Sequence, residues 1–272
     1  MARRNFRGNT VVVTGAAGGL GAALCRRFAA SGARIALLDA DAAGAASRAA
    51  ALRADGAVAQ DYACDVTDAA ACESAMSDVA RRFGGIDVLV NNAGITHRSA
   101  FARTGADVIR RVMEVNFFGA VNCTRAALPS LVERRGLVIA ISSVAGFAPL
   151  IARTGYAASK HALHGFFDSL RSEVEDLGVD VLVVCPSFID TGIAGNALGA
   201  DGLPARHAQR VVGPRATPEA VAELVHRAAG RGERLLLAGR TARLAWWVSR
   251  LAPRTYARMM ARKLRAEMEE GR

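Results

Sequence analysis

Short apolar runs rich in valine, isoleucine and leucine alternate with longer alanine-rich segments along most of the chain. Most of these runs are apolar at successive positions, which is typical of strands covered by helices on both faces. The alternation predicts an α/β fold with three layers, in which helices flank a doubly wound, seven-stranded parallel sheet on both sides. The runs are TVVVTG, ARIALLD, AVAQDYACD, IDVLVNNAG, GLVIAIS, VDVLVVCP and ERLLLAG. We expect them to form one domain over residues 1–239, followed by a helical extension over residues 240–272.

One long segment, residues 187–217, interrupts this alternation with five glycines and little periodicity. Loops of this length inside compact domains are commonly lids or binding loops. We interpret the segment as a lid rather than as disorder because its apolar residues give it something to bury, namely Phe188, Ile189, Ile193, Leu198 and Leu203.

The chain of 272 residues carries a formal net charge of +10, but this charge is unevenly distributed. Eleven basic and four acidic residues lie from Arg231 onward, so the rest of the chain is only mildly basic. No basic run with interleaved aromatic residues crosses that part of the chain, which argues against a nucleic-acid partner.

Five cysteines are scattered without any C-x-x-C pair, a pattern that argues against a disulfide framework and against a zinc site. The first residues run directly into an apolar strand without the core of a signal peptide, and no apolar stretch reaches the ~18 residues of a membrane span. We therefore expect a cytoplasmic protein in a reducing compartment, with no metal site.

A glycine-rich turn, TGAAGGLG, follows the first apolar run and precedes an alanine-rich helix. Glycines let the backbone approach a pyrophosphate, and the N-terminus of the helix offers unpaired N–H groups at the positive end of its dipole. Its position after the first strand predicts a dinucleotide site, formed by Gly15, Gly18, Gly19, Leu20 and Gly21.

A carboxylate at the end of the second strand indicates which dinucleotide binds. Asp39 lies about 20 residues after the turn, where a carboxylate can accept both hydroxyls of the adenosine ribose. A 2′-phosphate would meet Asp39 as a like charge, and neither Gly18 nor Ala40 supplies a compensating cation. We predict NAD in preference to NADP, and we assign helix capping to Asp41 instead.

The sequence YAASK places one of only two lysines, Lys160, four residues after one of three tyrosines, Tyr156. On a helix these residues share one face, so their polar tips can converge. An ammonium group favours the phenolate form of a neighbouring tyrosine and thereby makes it a usable general acid and base. The compact ammonium group of a lysine can also bind a ribose. The guanidinium group of an arginine is a broader, planar fork and would make different contacts.

With these motifs, the chain resembles the short-chain dehydrogenases/reductases over roughly Thr10 to Gly239. The resemblance implies a Rossmann fold and rests on TGAAGGLG, CDVTD, NNAG, Asn116, ISS thirteen residues before the tyrosine, YAASK and PSFIDT, all in the order of the family. One departure is Ser187, where the family usually has glycine.

The resemblance implies a role for each matching residue. Ser143, chosen over Ser142 by its spacing, would polarise the substrate oxygen, and Tyr156 would exchange its proton. Lys160 would bind the nicotinamide ribose and lower the pKa of the tyrosine, while Asn116 would hold a water in a proton relay. The remaining cofactor contacts would come from Asp65 and Val66 at the adenine, Asn92, Ala93 and Gly94 at the middle, and Pro186, Ile189 and Thr191 at the carboxamide end.

The function implied is NAD-dependent interconversion of a secondary alcohol and its ketone, with NAD as the cofactor. Apolar residues between the serine and the tyrosine favour a hydrophobic substrate. The alternative is a non-catalytic, NAD-sensing or scaffold protein on the same fold. The resemblance also suggests a homodimer or homotetramer built on the helices that bear Asn116 and Tyr156. His97 either lines the substrate entrance or is an ordinary loop histidine.

The tail, residues 240–266, carries eight basic residues and no acidic one. Apolar residues form one helical stripe before Pro253 and a second one after it. Such a basic amphipathic pair either contacts an anionic membrane surface or packs over the substrate cleft or a subunit interface. The stripes comprise Leu244, Val248 and Leu251, and then Tyr256, Met259, Met260 and Leu264.

Overall fold

The computed structural model describes residues 4–190, 196–205 and 213–269, with side chains described as far as residue 265. Seven strands form one sheet in the order β3-β2-β1-β4-β5-β6-β7, and every neighbouring pair is parallel. This confirms the predicted doubly wound sheet. The strands are β1 (Thr10–Thr14), β2 (Arg34–Asp39), β3 (Ala59–Ala63), β4 (Val88–Asn91), β5 (Leu137–Ile141), β6 (Asp180–Pro186) and β7 (Leu235–Ala238).

Helices cover both faces of the sheet. One apolar core joins the sheet to α1, α2 and α7, and a second joins its other face to α3, α5 and α6. Because alternate residues of each strand enter opposite cores, the apolar runs of the sequence are buried on both sides. The helices of the described chain are α1 (Gly19–Ala29), α2 (Ala42–Ala54), α3 (Ala69–Phe83), α4 (Ala106–Met113), α5 (Gly119–Glu133), α6 (Thr154–Val174), α7 (Pro218–Arg231), α8 (Arg240–Leu251) and α9 (Pro253–Glu269).

Short polar side chains fix where several helices begin. Asp41 accepts a hydrogen bond from the Gly44 amide, at 2.9 Å, and so caps α2 as predicted. Thr217 caps α7 in the same way, with Pro218 at the first helical position. These caps set the helix starts at the ends of the strands, where the crevice of a doubly wound sheet lies.

The order of the strands reverses between β1 and β4, which both pair with their neighbours in parallel. The connections from β1 and β4 therefore leave toward opposite faces, and a crevice opens at the carboxyl ends of the strands. A π-helical turn, Glu114–Phe118, links α4 to α5 beside this crevice. π-turns often mark functional positions because they displace one residue from the regular helical face.

The tail forms two helices that pack against the loop after β5. Tyr256, Met260 and Leu264 of α9 are buried in a separate small core, together with Ala245 of α8 and Ala148 of the loop. The break between the helices falls at Pro253, as predicted. The stripe of α8 is different, because Leu244 is 66% exposed and Leu251 is 77% exposed. In the described part of the chain, no helix combines the length and the apolar character that crossing a bilayer requires.

Candidate active site

The glycine turn packs so closely that two of its positions have no room for a side chain. A Cβ atom on Gly21 would lie 2.0 Å from the carbonyl oxygen of Gly15. Gly15 has a φ of 65°, and a Cβ atom there would lie 2.8 Å from Ala93 Cα. The N-terminus of α1 begins at Gly19 and lines the crevice. This tight turn before a helix N-terminus fits a pyrophosphate group, as the sequence predicts.

Asp39 lies at the end of β2 and faces the same cavity as the glycine turn. Its carboxylate accepts hydrogen bonds from the amide of Ala17, at 2.8 Å, and from that of Asp41, at 2.9 Å. Asp39 therefore also fixes the turn to the strand end, a role that the sequence pattern did not reveal. Its neighbours on the cavity wall are Ala40, Asp41 and Asp65, so negative charge accumulates at this end.

The NNAG segment holds the turn from the other side. The side-chain amide nitrogen of Asn92 donates to the carbonyl oxygens of Thr14, at 2.9 Å, and of Gly15, at 3.0 Å. The Thr14 hydroxyl accepts from the backbone amides of Asn92 and Ala93. These bonds tie β4 to β1 at the reversal of strand order. Ala93 and Gly94 line the cavity beside them, as predicted.

Nearly all the predicted site residues face one cavity of about 1440 Å³. Asp65, Val66, Pro186 and Ile189 line it, as do the five residues assigned to the turn, together with Ser143, Tyr156 and Lys160. Thr191 lies outside the described residues, as does part of the predicted lid. Asn116 is the one remaining predicted residue, and it does not line the cavity wall.

Asn116 is 1% exposed, and its side-chain amide is fully engaged in hydrogen bonds. Its oxygen accepts from the Ile95 amide, at 2.8 Å, and its nitrogen donates to the Ile95 carbonyl and to the Ser159 hydroxyl, each at 2.9 Å. The side chain thus ties the π-turn to the NNAG segment and to α6. Its participation in a proton relay stays a prediction.

The reactive groups come from the end of β5 and the first turns of α6. Ser143 and Tyr156 face the same cavity, and the Ser143 hydroxyl is one of the groups that act on the pKa of Tyr156. Lys160 Nζ donates to the carbonyl oxygen of Ile141, at 2.8 Å, and lies 5.7 Å from the centre of the tyrosine ring. Ser142 is buried and donates to the Lys160 carbonyl, at 3.2 Å, so the choice of Ser143 as the serine facing Tyr156 agrees with this geometry.

Burial dominates the protonation of these groups. It raises the pKa of Tyr156, and the two groups that oppose this shift are the nearby Ser143 hydroxyl and the positive charge of Arg153. Burial also lowers the pKa of Lys160 to about 8, because an ammonium loses hydration in the protein interior. Arg153 is thus a cation that lowers the pKa of Tyr156 and that the sequence did not indicate. The same role for Lys160 stays a prediction.

Arg153 was missed by the sequence analysis although it precedes Tyr156 by only three residues. Its side chain is 2% exposed and lines the cavity. The residue before it, Ala152, has a φ of 57°, in the left-handed region that a residue with a Cβ atom rarely adopts. Such strain is retained where the surrounding structure enforces it, frequently at functional sites.

His97 supports the helix that carries Tyr156. Its ring is fully buried, and its Nε2 atom accepts a hydrogen bond from the Gly155 amide, at 2.9 Å. Burial and the nearby Arg153 charge lower the pKa of His97 to about 4, so the ring is neutral near pH 7 and remains an acceptor. Neither of the two interpretations of His97 from the sequence described this role, because a contact between residues 58 positions apart leaves no local sequence pattern.

The rest of the cavity extends from Tyr156 to the C-terminal helices. It is bounded by apolar side chains of the loop after β5 and of α8 and α9. Charged side chains, among them Arg98 and Arg153, also line the cavity. The tail thus packs over the cleft, which was one of the two possibilities raised by its sequence. The apolar lining residues are Leu150, Leu244, Val248, Met259 and Met260.

A glycine turn at a helix N-terminus and a serine, tyrosine and lysine facing one cavity define a Rossmann-type oxidoreductase. Comparison with known proteins agrees with this class. The family model described as short chain dehydrogenase matches residues 9–200. The chain belongs to this family, as its motifs suggested.

Its curated relatives include the dehydrogenase/reductase SDR family member 7B of Bos taurus, which is 40% identical over 274 residues, covering 97% of this chain and 84% of the relative. A probable oxidoreductase, EphD, of Mycobacterium bovis is 41% identical over 193 residues, or 70% of this chain and 33% of that protein.

Solved structures show the same fold. A short-chain dehydrogenase/reductase from Burkholderia phymatum, determined in complex with NAD, superposes with a TM-score of 0.83 at 24% identity, covering 93% of this chain and 96% of that chain. A dehydrogenase/reductase from Sinorhizobium meliloti superposes with a TM-score of 0.74 at 32% identity, covering 85% and 93%.

Proposed function

We propose that this protein interconverts a hydrophobic secondary alcohol and its ketone with NAD as the cofactor. The observation that carries the proposal is the placement of Ser143, Tyr156 and Lys160 together at the wall of a cavity whose other end is the glycine turn. This arrangement brings an acid and base within reach of a substrate oxygen. It also leaves a cradle for a dinucleotide along the same cavity.

The residues at the strand ends fit NAD. The turn and the N-terminus of α1 would hold the pyrophosphate, Asp39 the adenosine ribose, and Lys160 the nicotinamide ribose. When bound, NAD supplies a hydride acceptor at its nicotinamide ring. The carboxylates of Asp39, Asp41 and Asp65 on the adenine side favour a cofactor without a 2′-phosphate, because that group would add like charge.

The protein's own groups manage the proton. In the oxidative direction the Ser143 hydroxyl donates to the alcohol oxygen and orients it, and the phenolate of Tyr156 takes the hydroxyl proton. In the reductive direction the phenol of Tyr156 returns that proton to the oxygen of the ketone. Arg153 and the ammonium of Lys160 stabilise the phenolate that this cycle requires.

A spectrophotometric screen tests the function. With NAD at mildly alkaline pH, we expect the purified protein to form NADH from apolar secondary alcohols such as octan-2-ol, and to do so with a higher kcat/KM than with NADP. High pH favours oxidation because the reaction releases a proton. Comparable kcat/KM values with NADP would overturn the cofactor preference. Cofactor binding without turnover across a broad alcohol and ketone panel would indicate the non-catalytic alternative instead.

We also propose a homo-oligomer built on α5 and α6, in a cytoplasmic protein. An aromatic surface supports the interface, since Phe118 is 45% exposed beside the half-buried Phe117 and Phe166. Light scattering of the full chain would give a monomer mass if this assignment is wrong.

Peripheral membrane contact through residues 240–266 is a further part of the proposal. On α8 the exposed residues Leu244, Trp247 and Leu251 recur at helical spacing, so they share one outward face. Exposed arginines such as Arg243 and Arg250 flank this apolar face, and α9 adds more basic side chains. An outward apolar stripe flanked by cations suits the interface of an anionic bilayer.

Vesicle sedimentation tests this contact. We expect the protein to sediment with vesicles of phosphatidylcholine and phosphatidylserine, less so at high salt, and not with phosphatidylcholine alone. The double variant Trp247→Ser, Leu251→Ser should remain in the supernatant. Val58→Ser is the matched control, because Val58 is also exposed, at 56%, but lies before β3. Equal sedimentation of the double variant and the wild type would contradict the assignment.

A further inference from the structure

The cavity reaches the surface of the protein at the two helices of the tail. Leu244 of α8 and Met259 of α9 both line the cavity, yet they are 66% and 37% exposed. A side chain that lines a cavity and is also exposed stands at the opening of that cavity. Ala245 and Met260 line the cavity on the same two helices but are buried. The cavity wall therefore passes from the interior to the surface along α8 and α9.

The opening is continuous with the outward apolar stripe of α8. Leu244 is the first residue of that stripe, and it shares one helical face with Trp247 and Leu251. Leu244 also precedes Val248 by four positions, or about one helical turn, and Val248 lines the cavity. Leu244 thus joins the outer apolar face of α8 to the apolar wall of the cavity.

Cations accompany this apolar opening. Arg240 and Lys263 are exposed and line the cavity, so they also stand where it reaches the surface. Residues 240–265 contain no acidic residue. At a membrane interface, lysine and arginine bury their apolar stems and keep their charges among the head groups. The charge of this rim therefore complements an anionic bilayer. In the described part of the chain, the acidic residues of the cavity wall all precede the tail, namely Asp39, Asp41, Asp65 and Glu114.

From this arrangement we infer that the cavity opens into the bilayer, and that the substrate is a long-chain alcohol or ketone that enters from the membrane past α8 and α9 without crossing water. On this route the chain moves from lipid tails to the apolar wall formed by residues such as Leu150, Val248 and Met260. Its apolar surface is therefore not exposed to water during entry, which removes the main cost of transfer. The inference rests on the proposed function and on its membrane contact, and it specifies the source of the substrate.

Two vesicle populations, mixed in a fixed ratio, test the route of entry. One contains phosphatidylcholine and phosphatidylserine and carries the protein, and the other contains phosphatidylcholine alone. Octadecan-2-ol is placed in one population or the other, so the total composition is identical in both arrangements. Because its long chain holds this alcohol in its own vesicle, we expect the initial rate of NADH formation to be at least about tenfold higher when alcohol and protein share a vesicle. Octan-2-ol, which passes readily through water, is the control and should give equal rates.

A quenching measurement examines the same route without turnover. NADH bound in the cavity fluoresces, and a nitroxide carried near the carbonyl group of a long-chain ketone quenches this fluorescence once the ketone has entered. Quenching should develop when the labelled ketone is in the vesicles that carry the protein. It should be several-fold weaker over the same time when the ketone is in the phosphatidylcholine vesicles.

Two substitutions separate membrane contact from passage through the opening. The double variant Trp247→Ser, Leu251→Ser should give low and equal rates with octadecan-2-ol in both arrangements, and should oxidise octan-2-ol like the wild type because neither side chain lines the cavity. Met259→Asp should still sediment with the vesicles through α8. Its carboxylate lies in the path of an apolar chain, so its rate with octadecan-2-ol, per sedimented protein, should fall at least about tenfold.

Met259→Leu is the matched control, because it keeps an apolar side chain of similar size at the opening and should keep the rate of the wild type. Thermal unfolding of each variant with and without NAD verifies that the fold persists.

The outcomes separate this inference from the function on which it rests. Equal rates and equal quenching in the two arrangements, or a Met259→Asp protein that matches Met259→Leu, would overturn entry from the bilayer while NADH formation from octan-2-ol still supported the dehydrogenase. A full chain that sediments with neither vesicle would overturn it as well. Quenching that requires a shared vesicle, with no turnover of any alcohol or ketone, would instead leave a lipid-binding cavity and remove the proposed reaction.

Discussion

Replacing Tyr156 with phenylalanine should reduce turnover by a factor on the order of 10² to 10⁴, the usual contribution of a positioned general acid or base. The phenylalanine ring fills the same space but has no oxygen to exchange a proton with the substrate. Cofactor affinity should change little, because the turn at Gly21 and the carboxylate of Asp39 stand at the other end of the cavity. Steady-state rates and NADH binding, measured by fluorescence, give the two quantities.

Tyr62 provides the matched control for this substitution. Its hydroxyl is buried without a hydrogen-bond partner among the described residues, and it is not on the cavity wall. Tyr62→Phe should therefore leave turnover unchanged and leave the free energy of unfolding equal or slightly higher. Turnover by Tyr156→Phe within a few-fold of the wild type would show that the proton passes through another group.

The parts of the site that the sequence predicted correctly depend on local geometry. A helix places Tyr156 and Lys160 on one face whatever surrounds it, and both residues line the cavity. A glycine-rich turn between a first strand and a first helix is likewise typical of a dinucleotide site. The parallel sheet could be predicted equally well, because parallel strands buried on both faces need apolar residues at successive positions.

The parts that the sequence did not reveal depend on contacts between distant segments. His97 holds the start of α6 through Gly155, and Arg98 meets Arg153 through the Ser99 and Ala152 backbone. Arg153 is one of thirty-three arginines, and nothing in its local pattern distinguishes a buried guanidinium from an exposed one. The pKa of Tyr156 was predicted from Lys160 alone, one turn further along the helix, whereas burial and Arg153 also act on it in the folded chain.

The tail shows a second limit of prediction from the sequence. Periodicity indicates that a helix has an apolar stripe, but it does not indicate what the stripe faces. On α9 the stripe of Tyr256, Met260 and Leu264 packs inward. On α8 the buried face is instead made of small residues such as Ala242 and Ala245, and the large apolar residues point outward. Only the arrangement of both helices over the cleft decides between these outcomes.

Replacing Gly21 with alanine should destabilise the fold and weaken NAD binding together. The added Cβ atom would lie 2.0 Å from the Gly15 carbonyl oxygen, 2.8 Å from its carbonyl carbon and 2.9 Å from Ala16 Cα. All three are backbone atoms, so no side chain can rotate away, and the whole turn must shift. Overpacking of this kind costs about 3 kcal/mol, which lowers Tm by roughly 6–12 °C in a domain of this size.

Gly18→Ala is the control within the same turn, because its Cβ atom would meet only the Gly15 carbonyl oxygen, at an ordinary 3.5 Å. Its φ of −71° is also accessible to alanine. We therefore expect Gly18→Ala to unfold within a few degrees of the wild type, while Gly21→Ala loses both Tm and the further rise in Tm that NAD produces on binding. Since the two changes add the same methyl group three residues apart, equal Tm values would mean that the turn is not packed as tightly as its backbone distances indicate. A Gly21→Ala protein with normal stability and normal NAD affinity would place the dinucleotide elsewhere and separate the turn from the cofactor.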